Sequence, residues 1–283
     1  MKVAIIGLGL IGGSVGLGLK KASADIQIMG IPHREETVAE ALKRGAIDAG
    51  TTDHVKGVAD ADVVFICTPI NLIIPILREI APVLKKGAVV TDVGSTKAEI
   101  VSQAEKIMPK GAYFVGGHPM AGKEQVKLEA AETDLFKEKV WILTATSRTS
   151  KKALLEVDKL ISLLGAKTME MEPRIHDLAL AGISHAPLAV AAALVNSVAE
   201  AEKGKDEMKL CAASGFRDTT RIASGDPILG VDMFTTNKKA VLKTLSAFKK
   251  VLSRIEKLIK AGDSDAIEKE LGKAKNFRDS VFS

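Results

Sequence analysis

The pattern Gly7-Leu8-Gly9-Leu10-Ile11-Gly12 constrains this chain more than any other feature. It follows the apolar run Val3-Ala4-Ile5-Ile6 and precedes the apolar, helix-compatible stretch Ser14 to Leu19. A strand, a tight glycine turn and a helix start, in that order, form the context in which such glycines mark a dinucleotide-binding βα unit. Gly7 permits the turn, Gly9 lets backbone approach a pyrophosphate, and Gly12 lets the helix pack on the strand. The phosphates are expected over the positive helix N-terminus, which Leu10 and Ile11 open.

The second strand decides which dinucleotide is expected. NAD sites carry an acidic residue about 20 residues past the glycines, where it binds the ribose 2′-hydroxyl. Here the strand Ile26–Gly30 runs into Ile31-Pro32-His33-Arg34, with no carboxylate at the expected place. A guanidinium suits a 2′-phosphate by bidentate pairing. The loop residues His33 and Arg34 therefore favour NADP, with NAD as the second possibility. Glu35 and Glu36 read as charges of the following helix's first turn.

The 283 residues allow one large or two ordinary domains. With 27% charged and 46% hydrophobic residues, the chain is neither disordered nor membrane-like in composition. The longest apolar stretch, Ala179 to Val195, contains His185 and Pro187 and is expected to fall short of a membrane span. No signal peptide is expected, because the glycine loop starts at residue 7. The cysteines, Cys67 and Cys211, lack metal-ligand spacing and read as reduced core thiols of a cytoplasmic protein. A net charge of +5 suits anionic small ligands, and aromatics at 4% argue against a nucleic-acid partner.

The first half alternates β-branched runs with helical segments, as βαβ units do. Strands are expected at Lys2–Ile6, Ile26–Gly30, Val63–Cys67, Val89–Val93, Tyr113–Gly116 and Lys139–Leu143, with helices such as Glu36–Arg44 and Leu72–Leu84 between them. From Pro173 onward the pattern is helical, broken near Gly204 and across Gly215–Gly230. Ala186–Ala201 is apolar on nearly all sides and reads as a buried helix. Leu242, Leu245, Phe248, Leu252, Ile255 and Ile259 recur at steps of three and four, an apolar face for a neighbouring helix or a second subunit. The expected organisation is an α/β Rossmann domain over 1–170 followed by an all-α dimerisation domain over 171–283.

Ligands of a doubly wound sheet bind beyond the C-terminal strand ends. That rule singles out Thr68-Pro69 and Ser95, which follow two of the expected strands. Thr96 with Glu99 reads instead as a helix capping box. Gly116-Gly117-His118-Pro119-Met120-Ala121-Gly122 follows another strand end and reads as a turn that aims His118 from the sheet rim. Histidine is the common proton acceptor near neutral pH, so His118 is the candidate base among the five histidines. Arg217 and Arg221 lie four apart and would share a helix face. One could clamp a substrate carboxylate while the other pairs with Asp218 or a neighbouring subunit.

Together these segments resemble the prephenate/arogenate dehydrogenase family of tyrosine biosynthesis. The resemblance covers nearly the whole chain, through Gly7–Ser14, Asp92-Val93-Gly94-Ser95-Thr96-Lys97, Gly117–Gly122, Leu135-Phe136, Trp141–Thr144, His176-Asp177, Ser184-His185 and Gly215–Arg221. It implies a Rossmann domain followed by a helical homodimerisation domain, and oxidative decarboxylation of a cyclohexadienol without a metal. By the same resemblance His118 accepts the proton of the substrate 4-hydroxyl as hydride leaves C4, and Ser95 contacts that hydroxyl and orients the histidine. Arg221 matches the arginine that holds the substrate side-chain carboxylate, with Arg217 second. Glu124 matches a carboxylate near the site entrance, and His185 the first histidine of a Ser-His-x-Pro segment. Ser95 is also expected to touch the cofactor.

Three departures from the family pattern stand out. Many prephenate-using members carry a second histidine after that proline, where this chain has Leu188, which makes arogenate at least as well suited. Pro32 stands where NAD-using members have aspartate, in keeping with NADP. Lys123 replaces the usual small residue and has no account here. No regulatory domain is expected after residue 283, and no chorismate mutase domain before residue 1. Two rival readings are another two-domain NADP dehydrogenase of the β-hydroxyacid type and a non-catalytic NADP-binding dimer. The first would need a lysine that is absent between Arg174 and Glu202, and the second would not need Ser95, His118 and both arginines.

Overall fold

The computed structural model describes residues 1–123, 125, 127–201 and 207–282. Glu124 and the expected helix break near Gly204 lie outside the described residues. The aliphatic runs form strands β1 (Lys2–Ile6), β2 (Gln27–Ile31), β3 (Ala49–Gly50), β4 (Val63–Ile66), β5 (Val89–Asp92), β6 (Tyr113–Pro119), β7 (Val140–Thr144) and β8 (Lys167–Met171). They build one sheet of order β3-β2-β1-β4-β5-β6-β7-β8. All neighbours run parallel except β6 and β7.

Helices cover both faces, which is why the central strands read as continuous apolar runs rather than alternating ones. Val3, Ile5, Val63, Phe65 and Val89 face one core with α1 (Leu10–Ala22), α2 (Glu35–Lys43) and α6 (Lys151–Leu163). Ala4, Ile6, Val64, Ile66 and Val90 face the other with α3 (His54–Val58), α4 (Ile70–Ile80) and α5 (Ala98–Ile107). Each large aliphatic or aromatic side chain buried this way contributes about 1.5–3 kcal/mol by leaving water.

The sheet order reverses between β1 and β4, the switch point at which such sheets hold ligands in a crevice beyond the strand ends. Gly7 leaves β1 with φ +88, and a Cβ on it would lie 2.6 Å from the Cys67 carbonyl oxygen. A Cβ on Gly12 would lie 2.0 Å from the carbonyl oxygen of Gly7. The glycines are thus what allow the loops after β1 and β4, and the first turn of α1, to meet.

Several expectations need correction. β6 does not end at Gly116 but continues to Pro119, because Gly116–Pro119 pair antiparallel with Trp141–Thr144. His118 therefore sits in a strand and not in a turn. Two strands were not expected: β3 has only two residues, and β8 (Lys-Thr-Met-Glu-Met) is a half-exposed edge strand without an apolar run.

Helices α7 (Pro173–Leu180) and α8 (Ala186–Ala201) are joined by a π-helical turn, Ala181–His185, into one run. The wider turn accommodates Pro187, which lacks the N–H that an α-helix would use. By length and composition the run Pro173–Ala201 is long and apolar enough to cross a membrane, contrary to expectation, and only 28% of its apolar window is buried. Within this chain only Ala186 and Ala191 of α8 are buried, so α8 is not the buried helix its composition suggested. Among the described residues, nothing covers most of its alanine-rich surface.

The short helix α9 (Glu207–Leu210) is exposed throughout, and Cys211 after it is exposed rather than a core thiol. Next come α10 (Ser214–Thr220), a 3₁₀ turn at Arg221–Ser224 and α11 (Pro227–Thr236). The region Gly215–Gly230 is therefore short helices and not an irregular break. Arg217 lies in α10, and Arg221 opens the turn after α10 has ended, so the two do not share one α-helical face.

By compactness the chain divides into Met1–Asn237 and Lys238–Ser283. The helices α7–α11 belong with the sheet because polar side chains tie them to it. The Asn71 N–H donates to Asp232 Oδ2 at 3.3 Å, and the hydroxyls of Thr96 and Thr236 are 2.9 Å apart. The second unit is a helical hairpin of α12 (Lys238–Ala261) and α13 (Ser264–Phe282), clasped by Arg254 and Glu270. On α12, Leu242, Phe248, Leu252 and Ile259 remain exposed.

Gly12→Ala tests the packing of the glycine loop. The added methyl has no room beside Gly7, so the variant should lose about 1–3 kcal/mol of stability and bind dinucleotide more weakly. Calorimetry and cofactor titration would read both, and an unchanged midpoint with unchanged binding would refute the close packing.

Candidate active site

β6 presents His118 at the C-terminal edge of the sheet, the edge at which Gly7, Thr68 and Ser95 also leave their strands. His118 is 8% exposed, and its Nδ1 lies 2.9 Å from Nε2 of His176. His176 is fully buried, and its own Nδ1 lies 2.8 Å from Asp177 Oδ1. Asp177 also accepts from the backbone N–H groups of Lys97 at 2.7 Å and Ala98 at 3.0 Å. The N-terminus of α5 is thus capped by a carboxylate from α7, a favourable partner for the helix dipole. The expected capping box does not form, because Asp177 takes those donors and Thr96 turns to Thr236.

Beneath this row, Lys97 and Asp92 form a fully buried ion pair. Asp92 also accepts from the backbone N–H groups of Gly94 at 2.8 Å and Gly117 at 3.2 Å. It therefore joins the end of β5 to β6 immediately before His118. Burial pushes the Lys97 pKa down, and the Asp92 charge opposes that shift. Burial also holds His118 well below the ordinary imidazole value, helped by the neighbouring His176, Lys97 and His185. His118 is consequently neutral at physiological pH, as a proton acceptor must be. Its Nε2 makes no hydrogen bond among the described residues.

His185 reaches the same cluster from the π-helical turn. Asn237 Nδ2 donates to the backbone carbonyl of Asp177 at 2.7 Å and lies 3.2 Å from His185 Nδ1. With Nδ1 accepting, the His185 proton belongs on Nε2, which is buried, and the nearby Ser95 backbone favours the protonated ring. Burial lowers the His185 pKa to about 4, against the opposing pull of Asp177. The half-buried Ser95 hydroxyl makes no hydrogen bond among the described residues, and the bond that holds His118 comes from His176.

The crevice over β1 and β4 fits a dinucleotide. Gly9 caps α1 without any side chain, and no acidic residue sits in its first turn, so the N–H groups that Leu10 and Ile11 open point outward unopposed. Thr68 Oγ1 is buried with no partner among the described residues, at the start of the loop through Pro69 into α4. His33 and Arg34 are exposed just beyond β2, while Ile31 and Pro32 are buried. Glu35 is engaged elsewhere, its carboxylate accepting from the Thr52 hydroxyl at 2.9 Å.

The remaining expected residues are less closely gathered. Arg217 pairs with Asp218 at 3.1 Å on an exposed surface. Arg221 is exposed at the turn after α10, which packs on α8. Sequence reasoning missed Lys97, Asp92 and Asn237 as parts of the site. It noted His176 and Asp177 only as a matching pair. No spacing signal marks a lysine or an asparagine for burial, whereas a carboxylate next to a histidine was a usable clue.

The two depressed histidines give stability a defined pH dependence. Below pH 6.5 the unfolded chain takes up protons that the folded chain refuses, until about pH 4 for His185. Stability should therefore fall as pH drops through that window, by up to about 1.4 kcal/mol per pH unit for each buried neutral histidine. Urea unfolding at pH 5 and 6.5 would show it, and His185→Gln should flatten the slope by about one proton. An unchanged slope in the variant would contradict the assignment.

Comparison with known proteins agrees with this geometry. Residues 15–170 match the family model for the prephenate dehydrogenase nucleotide-binding domain, and residues 172–273 match that for its dimerisation domain. The chain is 36% identical to the prephenate dehydrogenase of Bacillus subtilis over 99% of its own length and 76% of that protein's. It is 30% identical to the cyclohexadienyl dehydrogenase of Zymomonas mobilis, over 93% of its length and 90% of that protein's. It superposes on the Aquifex aeolicus prephenate dehydrogenase, solved with hydroxyphenyl propionate and NAD+, with a TM-score of 0.93 at 34% identity, covering 99% and 98% of the two chains. For the arogenate dehydrogenase of Synechocystis the TM-score is 0.86 at 35% identity, covering 99% and 100%. A sheet with this glycine loop, a buried neutral histidine at its rim and both matched domains together assign the chain to the prephenate dehydrogenase family.

Proposed function

We propose that this chain catalyses the NADP-linked oxidative decarboxylation of arogenate, prephenate or both, with His118 as proton acceptor. The observation that carries the reading is the neutral, buried His118, its Nε2 free of hydrogen bonds among the described residues, on the same sheet edge as the dinucleotide crevice. In this reading the substrate 4-hydroxyl donates to Nε2, and its proton passes to His118 as the C4–H bond breaks. A nicotinamide held beyond β1 and β4 would supply the acceptor for the hydride that leaves C4. The bond between the ring and its carboxylate then breaks, CO2 leaves, and the electron pair completes the aromatic ring. His118 returns its proton to the phenolic oxygen.

Ser95 follows β5, the strand next to β6, and is assigned a share of the hydroxyl contact on the family resemblance. His185 offers its buried Nε2–H. Arg221 is assigned the substrate side-chain carboxylate, with Arg217 second, both on the family resemblance. Glu124 is kept at the site entrance on the family resemblance alone. The cofactor is assigned as NADP because the exposed His33 and Arg34 follow β2 while the nearest carboxylate, Glu35, is held by Thr52. Gly7, Gly9, Leu10, Ile11, Gly12, Thr68 and Pro69 would surround its phosphates and nicotinamide ribose. Leu188 packs against the apolar core where a second histidine would stand in many prephenate-using relatives, which supports arogenate.

The nucleotide-binding part is assigned to 1–170 and the helical part to 171–283, acting as a homodimer. The exposed Ile183 and Leu194 on the α7–α8 run and the Leu242–Ile259 stripe of α12 supply apolar surface for a second copy. Burial against that copy, rather than in a membrane, is the account offered for the uncovered flank of α8.

Steady-state rates with prephenate and arogenate, each with NADP and NAD, test the proposal. Arogenate with NADP should be fastest. Faster prephenate turnover would mean that Leu188 does not select the substrate, and no turnover with either would overturn the reading. Arg34→Ala should raise the KM for NADP about tenfold and leave that for NAD nearly unchanged, since a charged hydrogen bond contributes about 1.5–3 kcal/mol before solvent screening. Equal effects on both cofactors would remove the 2′-phosphate assignment.

A further inference from the structure

His118 is not the end of its hydrogen-bond chain. Asp177 carries a carboxylate that can only accept, and it meets His176 Nδ1 at 2.8 Å. That contact places the His176 proton on Nδ1 and leaves its Nε2 with a lone pair. His176 Nε2 in turn meets His118 Nδ1 at 2.9 Å, so in a pair of neutral rings the His118 proton must sit on Nδ1. Its Nε2 is then the bare nitrogen. Between neutral rings, only this order of protons satisfies both contacts.

We propose that His176 and Asp177 are positioning residues that hold His118 in the one tautomer able to accept the substrate proton at Nε2. The inference rests on the reading of His118 as the base. His176 is 0% exposed and Asp177 5% exposed, so water cannot substitute for either partner. Asp177 cannot swing away from His176 without uncapping α5, because the same carboxylate accepts from the Lys97 and Ala98 N–H groups. The Asn237 amide also donates to the Asp177 backbone carbonyl at 2.7 Å. When His118 takes a proton at Nε2, its Nδ1–H stays on His176, and the new positive charge faces Asp177 through the intervening ring. No proton need leave the row for the reaction to proceed and reverse. An orienting carboxylate in the serine-protease triad plays a comparable part, and loss of the correct tautomer there lowers kcat by about 10⁴.

The test is a nitrogen-15 NMR spectrum of the full chain with bound NADP, labelled at histidine and recorded near neutral pH. His118 is assigned by its absence in His118→Asn. The expected pattern is a pyrrole-type Nδ1 and a pyridine-type Nε2 for His118 in the wild type. A pyridine-type Nδ1 with a protonated Nε2 would overturn the proposal, whatever the variants do. His176→Phe keeps the ring volume and the α5 cap but removes the acceptor. It should mix or invert the His118 tautomer and lower kcat about 10²–10⁴-fold with KM for NADP little changed. His176→Gln, which retains an acceptor, should recover part of the loss. A His176→Phe enzyme that folds and keeps both its kcat and the wild-type tautomer would also overturn it. If the wild-type chain oxidises neither cyclohexadienyl substrate, the proposed function fails on its own, because the tautomer is read without turnover.

Discussion

The carboxylate of Asp177 is the contact on which the site is hung. It belongs to the first helix after the sheet, yet three of its partners belong to the site: two backbone N–H groups at the start of α5 and the buried ring of His176. A charge this far from water is tolerated only where hydrogen bonds replace its hydration. Here they do, and the consequence is positional. The helix that follows the Ser95 loop, the row of histidines and the helical segment are held in one register by a single side chain.

Asp92 does similar work one layer deeper. Its pairing with Lys97 and its acceptance from Gly94 and Gly117 link two strand ends and the helix between them. Replacing such a pair by apolar residues is often neutral for stability, so its presence is better explained by what it arranges. What it arranges is electrostatic. Burial above all, with His176 and the buried Lys97 adding to it, keeps His118 neutral, while Asp177 orders the His176 ring. Stability, pH response and the capacity to accept a proton therefore arise from the same few buried groups.

Much of this was legible in the residues themselves. The glycine loop, six of the eight strands and His118 were marked by patterns that depend on local physics: turn geometry, apolar runs and a histidine among glycines and proline. β3 and β8 were not, because two residues leave no pattern and an edge strand has no need of an apolar run. The length of β6 was set by its antiparallel partner, which no local signal announces. Asn237 and Lys97 entered the site through contacts 60 or more residues away in sequence, Asn237 with the Asp177 carbonyl and the Lys97 backbone with the Asp177 carboxylate. The composition of α8 pointed to burial, but among the described residues most of its surface is uncovered.

The most direct measurement is a single-turnover experiment. Chain loaded with NADP is mixed with arogenate or prephenate, and reduced nicotinamide is followed by absorbance beside a His118→Asn variant that binds NADP equally. The account predicts rapid reduction by the wild type and a rate about 10²–10⁴-fold lower in the variant, the usual weight of a general base. Equal rates in the two proteins would contradict the central claim that the buried, neutral His118 is where the proton goes.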